Sequence, residues 1–176
     1  MKILNFPEGR QFYNYDCGAN AMQSVLHYYG IEVREDKIVK IAKTTKQYWT
    51  SIKAMEKVAH TYNLKTTAKH MTITEVKKYI DKKIPVILLL QAWSEKKNTD
   101  WKNNRVDGHY VIAIWYGINK IYFEDPYSIY RAYLSFKELR DRRHDREQDG
   151  VEYHQYGIAV YGKEPVYDIT KKIHME

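Results

Sequence analysis

Residues 11–30 read QFYNYDCGANAMQSVLHYYG, and residues 107–125 read DGHYVIAIWYGINKIYFED. In the first stretch a polar, aromatic lead-in gives way at Cys17 to a helical stripe. Ala19, Met22, Val25, Leu26 and Tyr29 recur at helical spacing, and Gly30 supplies the stop. The second stretch reads as two apolar strands, HYVIAIW and KIYFE, joined by a turn at Tyr116-Gly117-Ile118-Asn119. One chemistry-bearing residue therefore opens a helix, and another, His109, opens a strand.

Working outward, Ile38, Ile41 and Ala42 mark a short second helix. A third is expected from about Tyr48 to Tyr62, with Trp49, Ile52, Met55, Ala59 and Tyr62 on one stripe. Thr72 and Glu75 form a capping-box pattern ahead of Val76 and Ile80, which gives a fourth. After Pro85 the period changes. VILLLQ reads as a buried strand, RAYLS as a further strand leading into a helix capped by Ser135 and Glu138, and Tyr153 to Tyr161 as the last strand. The polar stretch between Gln91 and Asp107 reads as an exposed loop or lid. Helices dominate the first half and strands the second, so the expected class is α+β, with an N-terminal helical half packed against a C-terminal antiparallel sheet. Such an arrangement leaves a cleft between its halves. No repeat, low-complexity tract or linker divides the chain, and residues 1–176 are expected to form a single domain.

Composition narrows the function classes. The chain has 176 residues, 44% hydrophobic and 29% charged, enough for a real core. One cysteine allows no internal disulfide and demands no oxidising compartment. The opening MKILNFP lacks an apolar region of secretory length, and the longest apolar run, Ile84 to Leu90, is far short of a membrane span. A cytoplasmic protein with no membrane partner is expected. The net charge of +7 comes from basic residues scattered among acidic ones, which reads as a solvated surface and not as a nucleic-acid footprint. Seventeen tyrosines suit half-buried strands or a peptide-lined groove, and composition does not choose between them.

A cysteine at the first turn of a helix lies at the positive end of the helix dipole, which favours thiolate over thiol. Gly18 and Ala19 leave room for a substrate to approach Cys17. Taken alone, a lone cysteine is more often a buried structural thiol. Of seven histidines, His109 is the one that opens an apolar strand directly after Asp107-Gly108, beside any cleft; His70 and His154, on candidate strands, stay open as alternatives. If Trp115 pairs with Asn119 across the turn, His109 falls opposite Asp125 on one face of the hairpin, close enough for a carboxylate to orient an imidazole. Asp125 reads equally well as a turn residue before Pro126. Gln11, six residues before Cys17, carries a neutral amide donor suited to an oxyanion hole with the Cys17 backbone N–H. There is no cysteine pair, no HExxH and no Gly-rich phosphate loop, so neither a metal nor another cofactor is expected.

In order, Gln11, then Asp16-Cys17-Gly18-Ala19, then a helix ending Tyr28-Tyr29-Gly30, then KIPVILLL, DGHYVIAIWYG and YFEDPYS, the chain resembles the bacteriocin-processing peptidases, which cut double-glycine leaders. The likeness runs from about Gln11 to Leu139. It implies a papain-like fold with Cys17 on the helical side of the cleft and His109 on the sheet side. The roles it implies are Cys17 as nucleophile, His109 as general base and acid, Asp125 as orienting residue and Gln11 as oxyanion donor. The implied substrate is a peptide or protein. Two alternatives stand beside this: an amide hydrolase or transferase of the same design acting on a cell-wall or thiol peptide, and a catalytically idle peptide-binding module.

Overall fold

The computed structural model describes residues 3–147 and 150–175. The chain begins with an extended segment and then forms three helices, α1 (Cys17–Tyr28), α2 (Glu35–Ala42) and α3 (Ile52–Thr61). Strand β1 (Lys65–His70), helix α4 (Ile73–Asp81) and strands β2 (Val86–Gln91), β3 (Gly108–Tyr116), β4 (Lys120–Glu124) and β5 (Ala132–Ser135) follow. Helix α5 (Phe136–Arg142) and strands β6 (His144–Arg146), β7 (Glu152–His154) and β8 (Tyr156–Tyr161) complete the described elements. Six strands make one antiparallel sheet in the order β1-β8-β2-β3-β4-β5, and β6 pairs with β7 in a small hairpin.

The core lies where α1 meets β3. Met22, Val25 and Leu26 of α1 are buried with Ile87 and Leu88 of β2 and Ile112 and Ile114 of β3. β2 is buried along its whole length, as a central strand covered on both faces must be. Helices α1, α2 and α3 pack on one another and against β1, β3 and β8, while α4 and α5 pack against β2, β3 and β5. Both expected capping boxes are present: Thr72 with Glu75 starts α4, and Ser135 with Glu138 starts α5.

Four local expectations need correction. The third helix starts at Ile52 and not at Tyr48, because Ser51 caps it by accepting from Ala54 N at 3.2 Å. A turn closed by Thr45 and Tyr48 precedes it, leaving Tyr48 and Trp49 exposed instead of on the helical stripe. Strand β1, KTTAKH, is marked in the sequence only as a candidate strand at His70, because it is an edge strand whose residues are exposed or only half-buried, with lysines guarding it. The last strand is broken in two, since Gln155 takes a left-handed conformation (φ 49°) between β7 and β8. The buried Arg143 ties that break down, donating to Met71 O at 2.8 Å, Gln155 O at 2.7 Å and Tyr156 O at 3.2 Å.

The register of the β3–β4 hairpin is the fourth. Trp115 pairs with Tyr122 and not with Asn119, and an irregularity between Ala113 and Trp115 shifts the remainder so that Ile112 pairs with Glu124. Extended by one residue, the observed register sets Asp125 opposite Val111, two positions from His109. A shift by two leaves every side chain on its original face, so His109 and Asp125 become diagonal neighbours instead of direct ones.

Candidate active site

Cys17 is the first residue of α1 and is 3% exposed. Asp16 precedes it without capping the helix; its carboxylate instead accepts from Tyr13 N at 3.0 and 3.2 Å and so folds the preceding loop back toward the helix start. Burial raises the Asp16 carboxyl above its ordinary range, against the pull of those backbone N–H groups. Gly18 is required by packing. A Cβ there would stand 2.8 Å from Thr50 Cβ and 3.2 Å from the Tyr110 ring, so only glycine lets the start of α1 settle against β3.

His109, the second residue of β3, is buried. Its Nε2 lies 2.7 Å from Asp125 Oδ1, and Cys17 is the other group that acts on the ring. Burial is the largest influence on this imidazole and works to discharge it. The hydrogen bonds and charges of Asp125 and Cys17 together outweigh it and raise the pKa to about 10. The shift favours the charged imidazole, whose Nε2–H donates to Asp125.

The Asp125 carboxylate is held from three sides. Oδ1 accepts from His109 and from Tyr127 N at 2.9 Å, and Oδ2 accepts from the Trp93 indole N–H at 2.9 Å. Sequence reasoning missed Trp93. It sits in a polar loop with no periodicity, and nothing in its neighbours marks it. Its backbone is left-handed (φ 58°), a conformation that a bulky residue adopts only when its surroundings hold it there, and its ring lies 5.0 Å from that of Tyr127. Next to Asp125, the buried Glu124 accepts from Gly9 N at 2.8 Å and from Arg10 at 2.9 Å, and it also pairs with Arg131. This ionic knot fastens the N-terminal segment to the end of β4.

Gln11 reaches the same place. Its backbone N–H donates to Pro126 O at 2.9 Å, and it lines a cleft of about 570 Å³ with Asn14, Trp49, Trp93, His109 and Tyr127. One N–H of its side-chain amide donates to Tyr13 O at 2.8 Å, and its Oε1 is buried without a partner. A second hollow, of about 600 Å³, shares Trp49 and Gly108 with the first and extends past Tyr110. At Gly108 a Cβ would fall 1.9 Å from Asp145 Oδ2, so the strand beside His109 can run there only as glycine. Gln11 and His109 thus line one cleft; Asp125 hydrogen-bonds His109 from a neighbouring hollow, and the buried Cys17 acts on His109 without lining either. The other candidate histidines are not part of it: His70 is exposed on the edge strand β1, and the exposed His154 pairs with Glu152 at 3.5 Å.

Among the described residues no group of three or more His, Cys, Asp or Glu side chains could hold a metal ion. Nor is any helix among them long and apolar enough to cross a membrane.

Solved structures share this architecture. A protein described as a C39-like peptidase, from Bacillus anthracis, superposes with a TM-score of 0.70 at 18% identity, covering 93% of this chain and 98% of that one. The peptidase domain of Streptococcus ComA, a bifunctional ABC transporter of a quorum-sensing pathway, gives 0.65 at 19% identity, with 88% and 96% covered. A double-glycine motif protease from an AMS/PCAT transporter, solved with its leader peptide, gives 0.65 at 15% identity, with 93% and 94% covered. At these identities the likeness is one of fold, and the fold is the papain-like α+β arrangement of C39 peptidase domains. A comparison with curated protein sequences finds no match. The model of the Peptidase C39-like family matches residues 3–145, a span holding both strands of the hairpin and the whole candidate site, and this chain belongs to that family.

Proposed function

We propose that the protein is a cysteine peptidase with Cys17 as nucleophile. The observation that carries the proposal is the buried His109, which hydrogen-bonds Asp125 and whose charged form Asp125 and Cys17 both favour. In this reading the Cys17 thiolate adds to the scissile carbonyl and forms a C–S bond. The tetrahedral oxyanion accepts hydrogen bonds from the Cys17 backbone N–H and the Gln11 amide. The His109 imidazolium then gives its proton to the departing amine as the C–N bond breaks, leaving a thioester. The neutral His109 next takes a proton from water, which attacks the thioester, and the thiolate and imidazolium are restored as the acid product leaves. Asp125 keeps Nε2 occupied throughout, so that Nδ1 alone exchanges protons.

The Gln11 amide is not idle in the resting geometry, since one N–H serves Tyr13 O. The second N–H is the one available to an oxyanion. For substrate, the reading favours a peptide cut after a Gly-Gly-type motif in the cytoplasm. Its support is the fold shared with a protease described by that motif, together with a cleft flanked by the aromatic side chains Trp49, Trp93 and Tyr127.

A library of peptides with and without Gly-Gly, digested by wild type and Cys17→Ser, tests this. Cleavage after Gly-Gly by wild type alone is the expected result. Cleavage of other amides with no Gly-Gly preference keeps the chemistry and replaces the substrate. Binding without any cleavage overturns the enzyme reading in favour of a docking module.

A further inference from the structure

From Lys37 to Met55 the chain carries five lysines and no aspartate or glutamate, which is five of its seven net positive charges. The sequence as a whole mixes the two signs; this stretch does not. Lys37 and Lys40 are exposed on α2, three residues apart and so on one side of the helix. Lys43 takes the left-handed position that ends α2 (φ 57°), and the exposed Lys46 stands in the turn after it. Lys53 is exposed in the first turn of α3, which packs on α2. None of the five is ion-paired among the described residues, whereas Lys69 on β1 is held by Glu75 at 2.6 Å.

The turn sets this charge beside the candidate active site. Thr45 N donates to Tyr48 O at 2.7 Å, and the buried hydroxyls of Thr44 and Thr50 lie 2.7 Å apart, so both ends of the turn are pinned. Thr50 also packs on Gly18, next to Cys17. Lys46 and Trp49 line the cleft that holds Gln11 and His109, while Lys43 and Lys53 line the adjoining hollow with Tyr48; Trp49 belongs to both. Of the four acids on these walls, Asp107 is held by Asn104 at 2.6 Å, Asp145 by Gln91 at 3.0 Å and Glu147 by Ile52 N at 2.7 Å. Glu95, the fourth, has Lys96 beside it in the chain.

We propose that the lysines from Lys37 to Lys53 form a docking track for an acidic segment of the peptide substrate, and that the exposed rings of Tyr48 and Trp49 pack on that segment where it enters the cleft. Charge and continuity with the cleft select this occupant. Exposed ammonium groups hold an anionic chain through several weak pairs that salt screens, and they steer its approach. Along α2, Lys37 to Lys43 covers about 9 Å, which an extended peptide spans in about three residues. A short run of aspartates or glutamates near the scissile bond therefore meets several lysines at once. The effect on cleavage rests on the peptidase reading; the binding of the acidic segment does not.

Synthetic Gly-Gly peptides flanked on one side or the other by a run of aspartates, each with an asparagine twin, test the track. At low salt, wild type should cleave one aspartate peptide with a KM at least about 10-fold below that of its twin and a similar kcat. The advantage should vanish in about 0.5 M salt. Lys40→Glu with Lys43→Glu should erase it at low salt and leave the asparagine peptides unaffected. Lys65→Glu with Lys82→Glu, the same change of charge on β1 and at the end of α4, should keep it; melting temperatures check that both variants fold. Fluorescent forms of the same peptides, bound to the Cys17→Ser chain, read the track without cleavage. Equal affinities for the aspartate and asparagine peptides, or the same loss in both double variants, overturn the proposal. A single-stranded oligonucleotide of matched charge that binds more tightly than the aspartate peptide also overturns it, in favour of nucleic acid. An aspartate preference in binding, in a chain that cleaves no peptide, supports the track and overturns the peptidase reading, so the two failures are distinguishable.

Discussion

The two walls of the cleft are built differently. On the sheet side the Asp125 carboxylate accepts from His109, Tyr127 N and Trp93. On the helix side three buried oxygens, Gln11 Oε1, Asn20 Oδ1 and Glu35 Oε1, find no donor. A fully paired network of charged groups is rigid and costly to disturb, whereas an incompletely paired one has room to rearrange or to take up a proton. The sheet wall therefore presents the imidazolium in one geometry. The helix wall carries the groups left without a donor.

Removing the imidazole breaks the contrast most severely. His109→Ala should lower kcat/KM for any cleaved peptide by about 10⁴-fold, because both the proton donor and the thiolate's partner are gone; steady-state kinetics with an unchanged circular dichroism spectrum checks it. Gln11→Ala acts on the adjustable wall. If its second N–H meets the oxyanion, kcat should fall by about 100-fold with little change in KM, while the melting temperature stays close to wild type. An effect on KM alone would assign Gln11 to binding. A smaller loss is expected for Trp93→Phe, which keeps the ring and removes the donor to Asp125 Oδ2. Stability should drop by about 1 kcal/mol and kcat/KM by about 10-fold, read by denaturant unfolding and kinetics.

The walls also titrate in different windows. His109, raised to about 10, contributes stability that is fully present below its unfolded pKa near 6.5 and is lost as pH climbs toward 10. Asp125→Asn should shrink that alkaline loss and leave the slope below pH 7, to which Glu35, raised by burial to about 7, contributes, as it is. A variant that flattened both windows would show the walls to be one coupled network.

How much of this was legible in the sequence depended on local signals. The Cys17 helix start is announced by a stripe beginning at Ala19 and a stop at Gly30, and the hairpin by two apolar runs around a glycine turn. The His109–Asp125 contact was anticipated from a wrong register, and it survived because the true register differs by an even number of residues, which preserves the face. Trp93 and Trp49 were out of reach for another reason. Trp93 is held by tertiary contacts in a left-handed loop position, and Trp49 fits a helical stripe that Ser51 interrupts by capping the helix after it. Strand β1 has no apolar alternation to read, since it is an exposed edge.

The central claim is that Cys17 is a nucleophile made reactive by an imidazolium at its side. The rate of iodoacetamide alkylation at pH 6.5, for wild type, His109→Ala and a free thiol of ordinary acidity, tests it most directly, with Cys17→Ser as the blank. Wild type should react at least about 10-fold faster than the free thiol, and His109→Ala no faster than it. Equal rates for wild type and His109→Ala would contradict the claim and return Cys17 to the role of a buried structural thiol.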